Sequence, residues 1–192
     1  MNNKSFVRKL DRMEACEEAV EWVKSHGGTS AECWQDCVRG DWMAWLAASD
    51  AKKLGITKRQ LVGALADCAA LSLKYYEAEY PDDKRVRECI NTCRRYAKGK
   101  ATDKELAEAS STSYASTSYA ATNANAAANA ANAANAAATA ANAATAAAST
   151  SYAATAAYYA AASTSYAAYD AITKALKQCA GIFRKHFPEM SA

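Results

Sequence analysis

Between Ala109 and Tyr169 the chain runs for 61 residues using only Ala, Ser, Thr, Asn and Tyr. This tract constrains the fold more than any other feature. All 23 basic and 20 acidic residues of the 192-residue chain lie outside it, as do all seven glycines and both prolines. Alanine has the highest helix propensity and loses no side-chain entropy, so the tract reads as helix rather than disorder. It contains no Leu, Ile, Val, Phe, Met or Trp, and every 20-residue window carries Asn, Ser or Thr, which excludes a membrane span. With so few turn formers elsewhere, an all-β chain is excluded as well. The 51% hydrophobic fraction overstates the core, because much of it is alanine.

From Gly99 to Gly181 neither Gly nor Pro occurs, and one helix over that distance would extend about 120 Å at 1.5 Å per residue. The chain therefore turns inside the tract. Ser111-Thr112-Ser113-Tyr114 recurs at Ser116, Ser149 and Ser163. Serine and threonine favour caps, so some of these clusters, or Thr122-Asn123, are expected as corners.

The flanking segments carry short amphipathic helices. Arg12 to His26 aligns Ala15, Ala19, Trp22 and Val23 and closes at Gly27-Gly28. Thr29 with Glu32, Thr57 with Gln60, and Thr102 with Glu105 have capping-box spacing. Gly40 is expected to end the second helix and Asp41 to cap Trp42 to Ala48. The helix after Thr57 is read through to Tyr76, and Pro81-Asp82-Asp83 marks the next turn. Three of the four tryptophans lie between Trp34 and Trp45, the expected heart of the core, although a ligand platform would use the same residues. A last helix follows Tyr169, Ile172, Leu176, Cys179, Ile182 and Phe183 to Pro188.

The expected architecture is an all-α single domain over 1–192. It comprises a charged, tryptophan-bearing half (1–108) of five short helices, alanine-rich, closely packed long helices (109–169) that fold back, and a C-terminal amphipathic helix (170–188). Close-packing alanine faces could also form a homodimer.

Seven cysteines at odd parity, with no secretory apolar segment near Met1, point to reduced thiols and a cytoplasmic chain. Cys33/Cys37 and Cys89/Cys93, each four apart, could offer two ligands to zinc. Core positions are the stronger reading, and no metal or cofactor is expected. A net charge of +3 is too mild to argue for nucleic acid.

Three groups of residues are candidates for ligand contact. Arg39, Asp41 and Trp42 could form a contact loop, or only a cap and ion pair. From Lys84 to Lys100 there are seven basic residues against Glu88 alone, so Arg87, Arg94, Arg95 and Lys98 could hold an acidic partner or phosphates; a solvated face is the plainer meaning. In the tract, Asn129 and Asn132 belong to a polar stripe with Asn125, Thr139 and Asn142, whose plainer meaning is a solvated face opposite packed alanine, but which with Tyr152 and Tyr159 could wall a polar groove. Thr139 and Thr150 stand eleven apart, as in an ice-binding alanine helix, but Thr122, Thr145 and Thr155 break that register. No nucleophile-base pair, phosphate loop or His-Glu-x-x-His occurs, so no catalytic residue is assigned.

Ala15-Cys16-Glu17-Glu18 with Trp22, Cys37 to Ala47 containing Arg39-Gly40-Asp41-Trp42, Cys89 to Arg95, Gly99 to Glu105 before an alanine-rich tract, and Cys179 to Pro188 together resemble a family of immunity proteins. These are alanine-rich chains encoded by bacteria, phages and prophages. The resemblance implies a non-enzymatic binder that neutralises a toxin or immune effector by sequestration. An alternative is a phage-encoded sponge for a small anionic nucleotide signal, inhibiting anti-phage defence.

Overall fold

The structure is a computed structural model and describes residues 1–120 and 169–190. Among these the chain is all-α, with nine helices and no strand. In order they are α1 (Asn3–Arg12), α2 (Glu17–His26), α3 (Ser30–Asp36), α4 (Gly40–Ser49), α5 (Lys58–Ala70), α6 (Leu73–Glu79), α7 (Arg85–Ala97), α8 (Asp103–Ala120) and α9 (Tyr169–His186). No helix among the described residues is long and apolar enough to cross a membrane.

Local chemistry starts these helices where the spacing predicts. Thr29 and Glu32 exchange hydrogen bonds as a capping box, and Thr57 with Gln60 does the same. Thr102 Oγ1 accepts from Glu105 N at 3.2 Å while Glu105 accepts from Thr102 N at 2.7 Å. Each pair satisfies donors that the first helical turn would otherwise leave open.

Five expected short helices become seven before α8. The segment read as one helix from Arg12 to His26 is helical only from Glu17, because Glu14 takes a left-handed φ of 57° just after α1, an additional helix in which Asn2 Oδ1 accepts from Ser5 N. The helix read from Thr57 to Tyr76 breaks at Leu71-Ser72, where the buried Ser72 Oγ donates to Ala69 O at 2.7 Å. Gly40 opens α4 instead of ending α3, and Arg39, not Asp41, occupies its cap position. The first two Ser-Thr-Ser-Tyr clusters are not corners, since α8 runs through both. Thr112 Oγ1 donates back to Glu108 O at 2.8 Å, and Ser110 and Ser113 are buried, so these hydroxyls are accommodated inside a helix. The remaining clusters and Thr122-Asn123 lie outside the described residues.

The centre of the fold is α5, buried from Leu61 to Ala66 and at Cys68 and Ala69. It packs on α7, α7 packs on α8, and α9 returns to lie against α4 and α5. One continuous apolar cluster runs from Phe6 to Met190. The expected stripe of α7 is buried at Val86, Cys89, Ile90 and Cys93. Six cysteines are buried and only Cys16 is exposed, as core thiols would be. Burial pushes the Cys37 thiol up to about 11. In native protein, one thiol of the seven is therefore expected to react promptly with a disulfide reagent, the other six only after denaturant is added; a thiol count by absorbance checks this.

Candidate functional site

After the break at Glu14, α2 packs back on α1, and residues of both helices, of α3 and of α4 face a common hollow. It is a cavity of about 420 Å³ lined by all four tryptophans, Trp22, Trp34, Trp42 and Trp45. Trp34 is the only one of the four in the buried core, where its Nε1 donates to Phe187 O at 3.1 Å. The other three are half-buried, so the tryptophan group is part core and part cavity wall. Trp22 lies against Trp42 with ring centres 6.2 Å apart and stacks on His26 at 4.9 Å. The chain's end contributes Met190, carried on a short strap that Gln35 Nε2 ties down by donating to Pro188 O at 3.1 Å.

Arg39, Asp41 and Trp42 come together at this cavity. Arg39 donates twice to Asp41, Nε to Oδ1 at 2.9 Å and Nη2 to Oδ2 at 2.7 Å, and its guanidinium lies 4.3 Å from the Trp42 ring centre. The Asp41 hydrogen bond, and behind it the charges of Asp41 and Glu18, hold the Arg39 pKa above its usual value against the cost of burial. From α9, Arg184 Nη1 donates to Cys37 O at 2.7 Å and so fixes the turn that carries Arg39. Around the lining, Glu14, Glu18 and Asp41 stand against Arg39 alone. An apolar, aromatic hollow with three carboxylates and one internally paired cation suits an apolar anchor group more than a phosphate.

The basic face of α7 is elsewhere, and none of its residues lines the cavity. Arg87 pairs with Glu77 of α6 at 2.5 Å, Arg94 with Asp67 of α5 at 2.8 Å, and Arg95 with Glu105 of α8 at 2.9 Å. Lys98, the exposed cap residue of α7, has no ion pair among the described residues. Three of the seven bases thus fasten α7 to neighbouring helices. Asn129, Asn132, Tyr152 and Tyr159 lie outside the described residues.

A second polar cluster joins three helices. Asp67 of α5 lies 2.9 Å from His186 Nε2 at the end of α9 and also accepts from Arg94 Nε at 2.9 Å. The His186 hydrogen bond, followed by those of Arg94, holds the Asp67 carboxyl below its ordinary value of 3.8 although burial opposes them. A depressed carboxyl stabilises the fold fully above its unfolded pKa, and that contribution is lost as the pH falls through the folded value. Asp67→Asn should therefore lower stability at neutral pH and matter progressively less as the pH falls, as urea midpoints at neutral and acid pH would show.

Sequence reasoning did not single out Glu14, Glu18, Trp22 or Met190 as site residues, and offered Trp34 and Trp45 only as a possible ligand platform beside a core role. Two signals were present: four tryptophans between positions 22 and 45, and four glutamates with no base from Met13 to Glu21.

No curated protein and no solved structure matches the chain. A family model described as "Imm-5 like putative immunity protein" matches residues 55–181, from the residues leading into α5 to the middle of α9. Cys89 to Arg95 and Gly99 to Glu105 of the immunity-protein resemblance fall within that span, whereas Arg39-Gly40-Asp41-Trp42 and the cavity residues other than Met190 lie before it, and Met190 lies after it. With about two thirds of its length matched, an all-α fold and a tract of the expected kind, the chain belongs to the Imm-5 like immunity protein family.

Proposed function

We propose that the chain neutralises an effector protein by binding it, without catalysis, and that the tryptophan cavity receives the effector's anchor side chain. The observation that carries this reading is the convergence of all four tryptophans on one partly open hollow. Tryptophan is the residue most enriched where interfaces concentrate their binding energy, and a desolvated pocket is where such energy is gained. Family membership supports an immunity-type role.

A sponge for an anionic nucleotide is the less supported alternative. The arginines proposed for it on α7 are already paired, and the few charged groups of the apolar cavity lining are mainly acidic. The ice-binding reading rests on Thr139 and Thr150, which lie outside the described residues.

The test titrates the purified chain with the protein encoded beside it, following emission from the four tryptophans, and in parallel with cyclic and linear nucleotides. Saturable binding of the neighbouring protein is expected, weakened by about tenfold or more in Trp42→Ala. Unaltered affinity in Trp42→Ala would remove the cavity from the interface. Uptake of a nucleotide that is recovered intact after denaturation would replace this reading with the sponge.

A further inference from the structure

The lip of the cavity carries a conformational anomaly. α1 ends in a Schellman motif: Ala15 N donates to Leu10 O at 3.0 Å, Glu14 N donates to Asp11 O at 3.1 Å, and the residue between the cap and Ala15 is left-handed. That residue is Glu14, at φ 57°. The same motif ends α7, where Lys100 N donates to Arg95 O at 2.8 Å, Gly99 N donates to Tyr96 O at 2.9 Å, and the left-handed position is Gly99 at φ 70°. Glycine is the residue this motif prefers, because it has no Cβ to clash. Glutamate there suffers twice, through its backbone and through a negative charge beside the negative end of a helix dipole. No ion pair within the described residues compensates it. What Glu14 does have is a place among the residues lining the cavity, which also include Glu18 and Asp41. A strained residue retained at a cavity mouth is the pattern expected of a group kept for a ligand.

We propose that the cavity receives a basic segment of the partner, one large apolar side chain entering between the tryptophans while flanking Lys or Arg meet Glu14 and Glu18, with Glu14 as a specificity-determining residue. The proposal rests on the reading of the cavity as the effector site and adds the chemistry of the partner. Charge complementarity carries it. Arg39 adds no free positive charge to this rim, since Asp41 engages it twice and Glu18 lies 3.8 Å from its Nη1. Of the four glutamates between Met13 and Glu21, Glu14 and Glu18 line the cavity, and no base lies among them. An acidic partner or a phosphate would meet like charge there.

The experiment uses the full chain and two synthetic peptides that share a central phenylalanine and lack tryptophan, one flanked by lysines and the other by glutamates. All emission then comes from the four cavity tryptophans. The lysine peptide is expected to change that emission saturably at low salt, to bind at least about tenfold more tightly than the glutamate peptide, and to lose this advantage as salt rises. Glu14→Gly is expected to unfold at a higher temperature than the parent while binding the lysine peptide several-fold more weakly. A merely structural Glu14 would not separate those two readouts. Glu18→Gln should weaken the same peptide with no gain in unfolding temperature. Equal affinity for both peptides would overturn the charge assignment and leave the cavity as a neutral anchor site. Parent-like lysine-peptide binding by Glu14→Gly would overturn the role of Glu14. If neither peptide alters the emission, the proposal and the cavity reading fall together.

Discussion

Gly40→Ala is expected to destabilise the chain by about 3 kcal/mol, among the largest effects available to one added methyl group. Gly40 opens α4 where α9 crosses it. A Cβ there would lie 2.8 Å from both Ala180 N and Leu176 O and closer still to Cys179 Cβ. Two of these obstacles are backbone atoms of a helix, which cannot turn aside as a side chain can, so relief requires α9 to move as a body. Moving α9 would also disturb Cys179 and Phe183, both fully buried, and the Arg184 bond that fixes the Arg39 turn. Gly181, the residue after Ala180 in α9, is the internal control. A Cβ at Gly181 meets nothing within 4 Å, so Gly181→Ala should instead stabilise α9 by about 0.5–1 kcal/mol through helix propensity. Urea unfolding of the two variants should move the midpoint in opposite directions. A Gly40→Ala midpoint equal to the parent's would mean that α9 does not cross α4 at this glycine.

Lys9→Met should cost about 3–5 kcal/mol. Lys9 on α1 forms an ion pair with Asp50, the cap residue of α4, and the two side chains are only 11% and 4% exposed. Lys53, 3.7 Å from the other Asp50 oxygen, is 80% exposed and offers weak compensation. Removing Lys9 leaves a carboxylate in an apolar setting with its desolvation cost unreturned, which is why breaking such a pair is far more damaging than replacing it whole. The double variant Lys9→Met/Asp50→Leu should recover most of the loss, to within about 1 kcal/mol of the parent. A double variant no better than Lys9→Met alone would show that the lysine stem's packing, rather than the ion pair, holds α1 to α4. The pair anchors one wall of the tryptophan cavity, so the single variant should also blunt any emission change on ligand binding.

Much of the helical framework was legible because it is written locally. The three capping boxes at Thr29, Thr57 and Thr102 need only a residue and its third neighbour, and all three form. The α7 stripe of Val86, Cys89, Ile90 and Cys93 needs only helical spacing, and it is the buried face. The misreadings concern helix breaks that local spacing does not mark. The turn at Glu14 uses a residue that is not a usual helix terminator, and the break at Ser72 is secured by a buried hydroxyl bond inside the packed fold. Likewise Arg39, Asp41 and Trp42 were legible as a group because they are neighbours in sequence, whereas Glu14, Trp22, Trp45 and Met190 join them only in space.

The charges give the plainest case of a pattern whose meaning depends on its surroundings. In sequence, Arg87, Arg94 and Arg95 form a cationic face that invites an acidic partner. In the fold, Glu77, Asp67 and Glu105 arrive from three other helices and supply that partner from within. The acidic rim at Glu14 and Glu18 is the reverse: an ordinary helix start in sequence, it becomes a charged cavity mouth once α4 brings the tryptophans beside it.

By itself, the sequence determined an all-α chain, the start of most of its helices, the burial of its thiols and its kinship with immunity proteins, because composition, capping and 3.6-residue spacing act over a few neighbouring residues. Only the tertiary structure decided which charges are spent internally, that Gly40 is a helix crossing and not a helix end, and that four tryptophans enclose one hollow. Those outcomes depend on contacts such as Trp34 with Phe187, 153 residues apart, whose geometry no local rule contains.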